Sequence, residues 1–128
     1  MKVGFYGHVR QYHDLKAELD AAIHSVLESG EYVLGPALAR FERELASFYE
    51  MKHAVGVNSG TDALVLALKA VGVKPGDEVI TSSFSFVASA SAALMVGARP
   101  VFVDIDPLTY NLDPALTARA VTPRTRAI

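Results

Sequence analysis

The chain has 128 residues, of which 51% are apolar and 20% charged, and its 12 basic and 14 acidic residues leave a formal net charge of −2. This is a soluble globular composition, one domain's worth of chain at most, and the interspersed charge gives no electrostatic footprint for nucleic acid or an anionic membrane. With no cysteine there is neither a disulfide framework nor a thiolate metal site, and His8, His13, His24 and His53 lack paired metal-ligand spacing.

No apolar run approaches the ~20 residues of a membrane span, and the amino terminus lacks the apolar core of a signal peptide. A cytoplasmic protein is expected. Asp14 is positioned to cap a first helix that runs to Ser29, with Leu15, Leu19, Ile23, Val26 and Leu27 on one face and Gly30 as its stop. Residues 31–35 read as a short extended link. Pro36 then opens a second amphipathic helix with Leu38, Phe41, Leu45 and Phe48 inward. This makes 1–52 a helical segment.

From His53 the pattern changes to alternating strands and helices: strand 54–57, helix 61–71, strand 78–82, helix 87–96, strand 100–104 and helix 114–120. Turn signals at 73–77 and 97–100 separate them. Alternation of this kind predicts a mainly parallel α/β sheet flanked by helices. The last residues, 122–128, read as a turn into a further strand, so the chain is expected to be a piece of a longer protein.

In parallel α/β sheets ligands sit at the carboxyl ends of the strands. Three polar clusters fall there: Asn58 to Thr61, Ser82 to Phe86, and Asp104 to Asp106. The first is the most informative. A strand, a tight turn and a helix whose first turn holds Thr61 and Asp62 leave backbone N–H groups unpaired at a positive helix end. Gly60 permits close approach, and Ser59 and Thr61 add hydroxyls, which together make a seat for phosphate. A plain helix cap explains the same residues equally well. The Gly-Lys-Ser/Thr ending of a P-loop and the Gly-x-Gly-x-x-Gly fingerprint are both absent. In the second cluster, Phe84 and Phe86 are either core residues or rings able to lie on a planar heterocycle, worth about 0.5–1.5 kcal/mol beyond area burial.

The motifs SGEYVLGP at 29–36, FE at 41–42, NSGTDAL at 58–64, KPGDEVI at 74–80, SFVA at 85–88, GARPVFVD at 97–104 and TYNLD at 109–113 follow one another in an order and spacing that is highly specific. In these the chain closely resembles the DegT/DnrJ/StrS family of pyridoxal-phosphate-dependent sugar aminotransferases, from about Tyr12 onward. The match is looser at Gly4–His8, and Ser85 and Ser89 stand where many relatives have threonine. The resemblance implies the fold-type I large domain of those enzymes, incomplete in this chain, with 53–128 as its first part. It implies a homodimer with the active site at the interface, and pyridoxal 5'-phosphate as cofactor. Ser59, Gly60, Thr61 and Asp62 would hold the cofactor phosphate, the last three through backbone N–H groups, and Phe86 would stack on its ring. A substrate contact falls at Tyr32. Asp104 and Asp106 are expected to end a strand in a turn rather than to bind ligand.

The implied activity is transfer of an amino group, from glutamate, to a keto group of a nucleotide-linked sugar. The lysine that forms the Schiff base would lie beyond Ile128, so no catalytic residue is expected within the chain. Lys2, Lys16, Lys52, Lys69 and Lys74 stand outside the matching context, and no metal is implied. Two other readings stay open: a family dehydratase in which histidine replaces the lysine, and a catalytically incompetent or regulatory member.

Overall fold

The computed structural model describes residues 6–128; Lys2, Gly4 and Phe5 lie outside the described residues. The chain divides into two units, one up to Gly56 and one from Val57. In the first, α1 spans His8–Ser29 and α2 spans Pro36–Phe48. Helix α1 starts six residues before the expected cap. Nothing between His8 and Asp14 breaks a helix, and Asp14 instead faces Arg10 across one turn, 3.9 Å apart. Gly30 ends α1 in the left-handed conformation, φ 69°, and its N–H donates to the Leu27 carbonyl. Pro36 stands at the start of α2, where its missing N–H costs nothing.

The apolar face expected of α1 is in place, but no described residue of that helix is buried. In α2 only Ala46 is buried, and Phe41 and Phe48, expected inward, are exposed. Helical periodicity marks a face as apolar; it does not say whether anything covers it.

In the second unit α3 (Gly60–Ala70), β1 (Glu78–Ser82), α4 (Ala88–Met95), β2 (Arg99–Val103), α5 (Pro114–Ala120) and β3 (Thr125–Ala127) follow in order. Each lies within a residue or so of its expected place. The three strands form one parallel sheet in the order β2-β1-β3. Beneath it, Val79 from β1 packs with Val65 of α3, Ala92 and Ala93 of α4, and Val73, Val96 and Ala98 from the turns, joined by Leu68 and Ala127. The alanines of α4 let that helix lie close to the sheet.

The expected strand 54–57 joins no ladder among the described residues. A ladder needs a partner strand, and none of the described strands pairs with it. The Gly56 N–H donates to Glu42 Oε1 at 2.7 Å. A Cβ at Gly56 would meet Leu38 Cδ1 at 2.7 Å, so this stretch lies tightly on α2.

Candidate functional site

Ser82 and Val103, the last residues of β1 and β2, are in register. The parallel pairing therefore brings the loops after both strands, 83–87 and 104–113, to the same edge of the sheet. Asn58–Thr61 reaches that unit differently. It lies off the sheet at the start of α3, which packs along α4.

Ser59 is the N-cap of α3, with extended backbone, and its Oγ accepts from the Asp62 N–H at 3.1 Å. The same hydroxyl donates to Asp62 Oδ2 at 2.8 Å. Ser59 and Asp62 thus satisfy each other in a reciprocal cap, and this corrects one expectation. The Asp62 N–H is taken by Ser59, so it is not open to a ligand in this arrangement. The Gly60 and Thr61 N–H groups and the Thr61 hydroxyl make no hydrogen bond among the described residues. They face the positive end of an 11-residue helix.

Gly60 has no conformational need to be glycine here, since its φ is not in the left-handed region, and a Cβ on it would meet nothing within 4 Å. Within this chain neither strain nor packing asks for glycine.

In this chain Phe86 is 76% exposed and Phe84 66% exposed. Phe86 lines a hollow of about 280 Å³ with Ser82, Ser83, Ser85, Val87, Ala90 and Phe102. The Ser85 and Ser89 hydroxyls pair at 3.3 Å, and the Phe84 N–H donates to Ser82 Oγ at 2.9 Å.

Asp104 and Asp106 build a turn, as expected. Asp106 Oδ1 accepts from the N–H groups of Leu108 and Thr109 and from the Thr109 hydroxyl, at 2.8, 2.9 and 3.3 Å. Those bonds, the Thr109 N–H foremost, hold its carboxyl below the usual aspartate range. Asp104 Oδ1 accepts from the Ile105 N–H at 2.8 Å. Tyr32 belongs to the helical unit: its hydroxyl donates to the Leu27 carbonyl at 3.1 Å, and it lines a hollow of about 630 Å³ between Gly30 and Ala39.

Among the described residues no three His, Cys, Asp or Glu side chains are grouped to hold a metal ion, and no helix is long and apolar enough to cross a membrane. Sequence reasoning missed the Phe84–Tyr110 ring contact, centroids 6.0 Å apart. The positive φ of Tyr110, 60°, has no marker in residue type.

The architecture is that of a parallel α/β protein with polar and aromatic residues at the carboxyl edge. A profile of the DegT/DnrJ/EryC1/StrS aminotransferase family matches residues 13–128, and the chain belongs to that family. It is 51% identical over 114 residues to the UDP-2-acetamido-2-deoxy-3-oxo-D-glucuronate aminotransferase of Pseudomonas aeruginosa, covering 89% of this chain and 32% of the relative. It is 54% identical over 117 residues to the dTDP-3-amino-3,4,6-trideoxy-alpha-D-glucose transaminase of Streptomyces venezuelae, covering 91% and 31%. The crystal structure of S. venezuelae DesV in complex with a ketimine intermediate superposes with a TM-score of 0.92 at 51% identity, over 97% of this chain and 33% of that one. The PLP form of a putative sugar aminotransferase from Streptococcus pneumoniae gives 0.77 at 37% identity, over 83% and 28%. The chain therefore spans about a third of the length of the relatives it matches. Its fold is that of the matching part of these aminotransferases, and the family implies pyridoxal phosphate as cofactor.

Proposed function

We propose that this chain forms the cofactor-seating part of a pyridoxal-phosphate-dependent aminotransferase that moves an amino group, from glutamate, to a keto group of a nucleotide-linked sugar. The observation that carries the reading is the α3 N-terminus. Two backbone N–H groups and the Thr61 hydroxyl are open there, beside a glycine whose Cβ would meet nothing. Those donors suit a dianionic phosphate. Ser59 and Asp62 act at one remove, by fixing the first turn through their reciprocal cap. Phe86 offers an exposed face to the pyridine ring. When bound, the cofactor supplies an electron sink for amino transfer.

The chain's own residues bind and orient. Lys69 lies in the last turn of α3 and Lys74 in the loop beyond it, both away from the open N–H groups. In this reading 1–52 is a helical segment and 53–128 the first part of the large domain. The working enzyme is a cytoplasmic homodimer, and Tyr32 touches substrate.

The test is titration of the chain with pyridoxal phosphate, followed by the amide signals of Gly60 and Thr61. Those signals are expected to move in the wild type and to move less at equal ligand in Thr61→Ala. Unmoved amides in the wild type, or unchanged affinity in Thr61→Ala, overturn the assignment.

A further inference from the structure

Two exposed aromatic rings lie in the loops that follow β1 and β2. Phe84 follows β1 and Tyr110 lies in the loop after β2; they are 66% and 64% exposed, with ring planes 31° apart. The loop that presents Tyr110 is held by its own hydrogen bonds. Residues Ile105 and Leu112 bridge, the Asp106 N–H donates to the Asn111 carbonyl, the Tyr110 N–H donates to the Asp106 carbonyl, and the Asp113 N–H donates to the Asp104 carbonyl. The Asp106 carboxylate ties its first turn.

All this order holds a tyrosine in the left-handed region, φ 60°, where a bulky residue is strained. Strain of this kind persists only where the surroundings impose it, and it gathers at ligand clamps. Here the ring it presents is 64% exposed in this chain. The Tyr110 hydroxyl makes no hydrogen bond with the described residues and is open to a polar ring substituent. Two pre-set rings on neighbouring loops suit a flat heteroaromatic group, and stacking accepts any base because each has a π face.

We propose that Phe84 and Tyr110 form a stacking ledge for the nucleobase of a nucleotide-linked substrate. This rests on the sugar-nucleotide reading above and extends it: Ser59–Thr61 and Phe86 serve the cofactor, and Phe84 and Tyr110 serve the base. A ledge of stacking rings sets affinity for the nucleotide while discriminating weakly between bases.

The test follows the ring signals of Phe84 and Tyr110 by NMR in the whole chain, titrated with uridine diphosphate and separately with inorganic pyrophosphate. Uridine diphosphate is expected to move both rings, and pyrophosphate neither. Tyr110→Asn keeps a residue that tolerates the left-handed turn but removes the ring; it should weaken uridine diphosphate binding about tenfold. Tyr110→Phe keeps the ring and should bind within a few fold of wild type. The ledge is overturned if the rings ignore uridine diphosphate or respond equally to pyrophosphate, or if Tyr110→Asn binds as wild type does. Ring signals that change with protein concentration alone also overturn it, since a second copy then covers the pair. The Gly60 and Thr61 amides, titrated with pyridoxal phosphate in the same samples, report separately on the cofactor reading, so either can fail while the other stands.

Discussion

Arg124 Nε and Nη2 both donate to Glu78 Oε1, at 3.0 and 2.7 Å, across 46 residues of chain. The same oxygen accepts from Arg99 Nη2 at 2.7 Å, and Oε2 accepts from the Thr122 hydroxyl at 2.7 Å. Glu78 opens β1, Arg99 opens β2 and Arg124 precedes β3, so one carboxylate, 1% exposed, ties all three strands at the edge opposite the loops that follow β1 and β2. The Thr122 hydroxyl first, and then Arg124, hold its pKa down at about 2, against an ordinary 4.5.

A carboxyl depressed in the folded state contributes stability that is complete above its unfolded pKa and is lost as pH falls toward the folded one. For Glu78 that window runs from 4.5 down to about 2. Thermal melts of the wild type should therefore lose midpoint temperature across this range. Glu78→Gln should melt lower at neutral pH, because it strips charge from a paired buried site, and its melting point should fall less steeply with acid. Parallel pH curves for the two proteins would rule the clamp out as a source of acid sensitivity.

The proposed site at the start of α3 makes opposite predictions for Ser59 and Gly60. Ser59→Ala removes the cap of the Asp62 N–H and should cost about 1 kcal/mol by denaturant titration. Gly60→Ala should leave stability unchanged or raise it slightly, since alanine suits a helix better and its Cβ meets nothing. The same change should weaken pyridoxal phosphate binding. A Gly60→Ala protein that binds as before would show that the open space there takes no ligand.

Gly97 is glycine for both conformation and space. Its φ is 78°, and a Cβ there would sit 2.8 Å from Pro75 Cγ. The Gly76 N–H also donates to its carbonyl at 3.3 Å, joining the two turns that flank β1 and β2. Gly97→Ala should lower stability by about 1–3 kcal/mol. A midpoint within error of wild type in urea unfolding would contradict this.

Phe86 is exposed and its ring is absent from the core cluster, so Phe86→Ala should cost little stability. Its effect should fall on ligand binding, with several-fold weaker retention of pyridoxal phosphate. Loss of folding instead of loss of binding would make it a packing residue.

Much of this was legible along the chain because the informative interactions are local. Gly30, Pro36 and Ser59 act on helix ends within three or four residues of themselves, so residue type and spacing announce them. The alternation of apolar strands with amphipathic helices placed β1, β2 and α4 for the same reason. The 54–57 stretch has the apolar run of a strand, but a ladder needs a distant partner, and among the described residues its Gly56 N–H donates to Glu42, 14 residues earlier. Asp62 misled more subtly: its helix position was right, but the Ser59 hydroxyl takes its N–H.

What the sequence by itself determined is the order of elements, the turn that seats α3 and the family to which the chain belongs, since all three follow from short-range pattern and motif spacing. The tertiary structure alone decided which donors at that turn stay open, that Phe86 faces outward, and that Glu78 joins three strands. It also decided that Tyr110 meets Phe84. Those facts depend on residues far apart in the chain coming within hydrogen-bond or van der Waals reach, and no local preference encodes such a meeting.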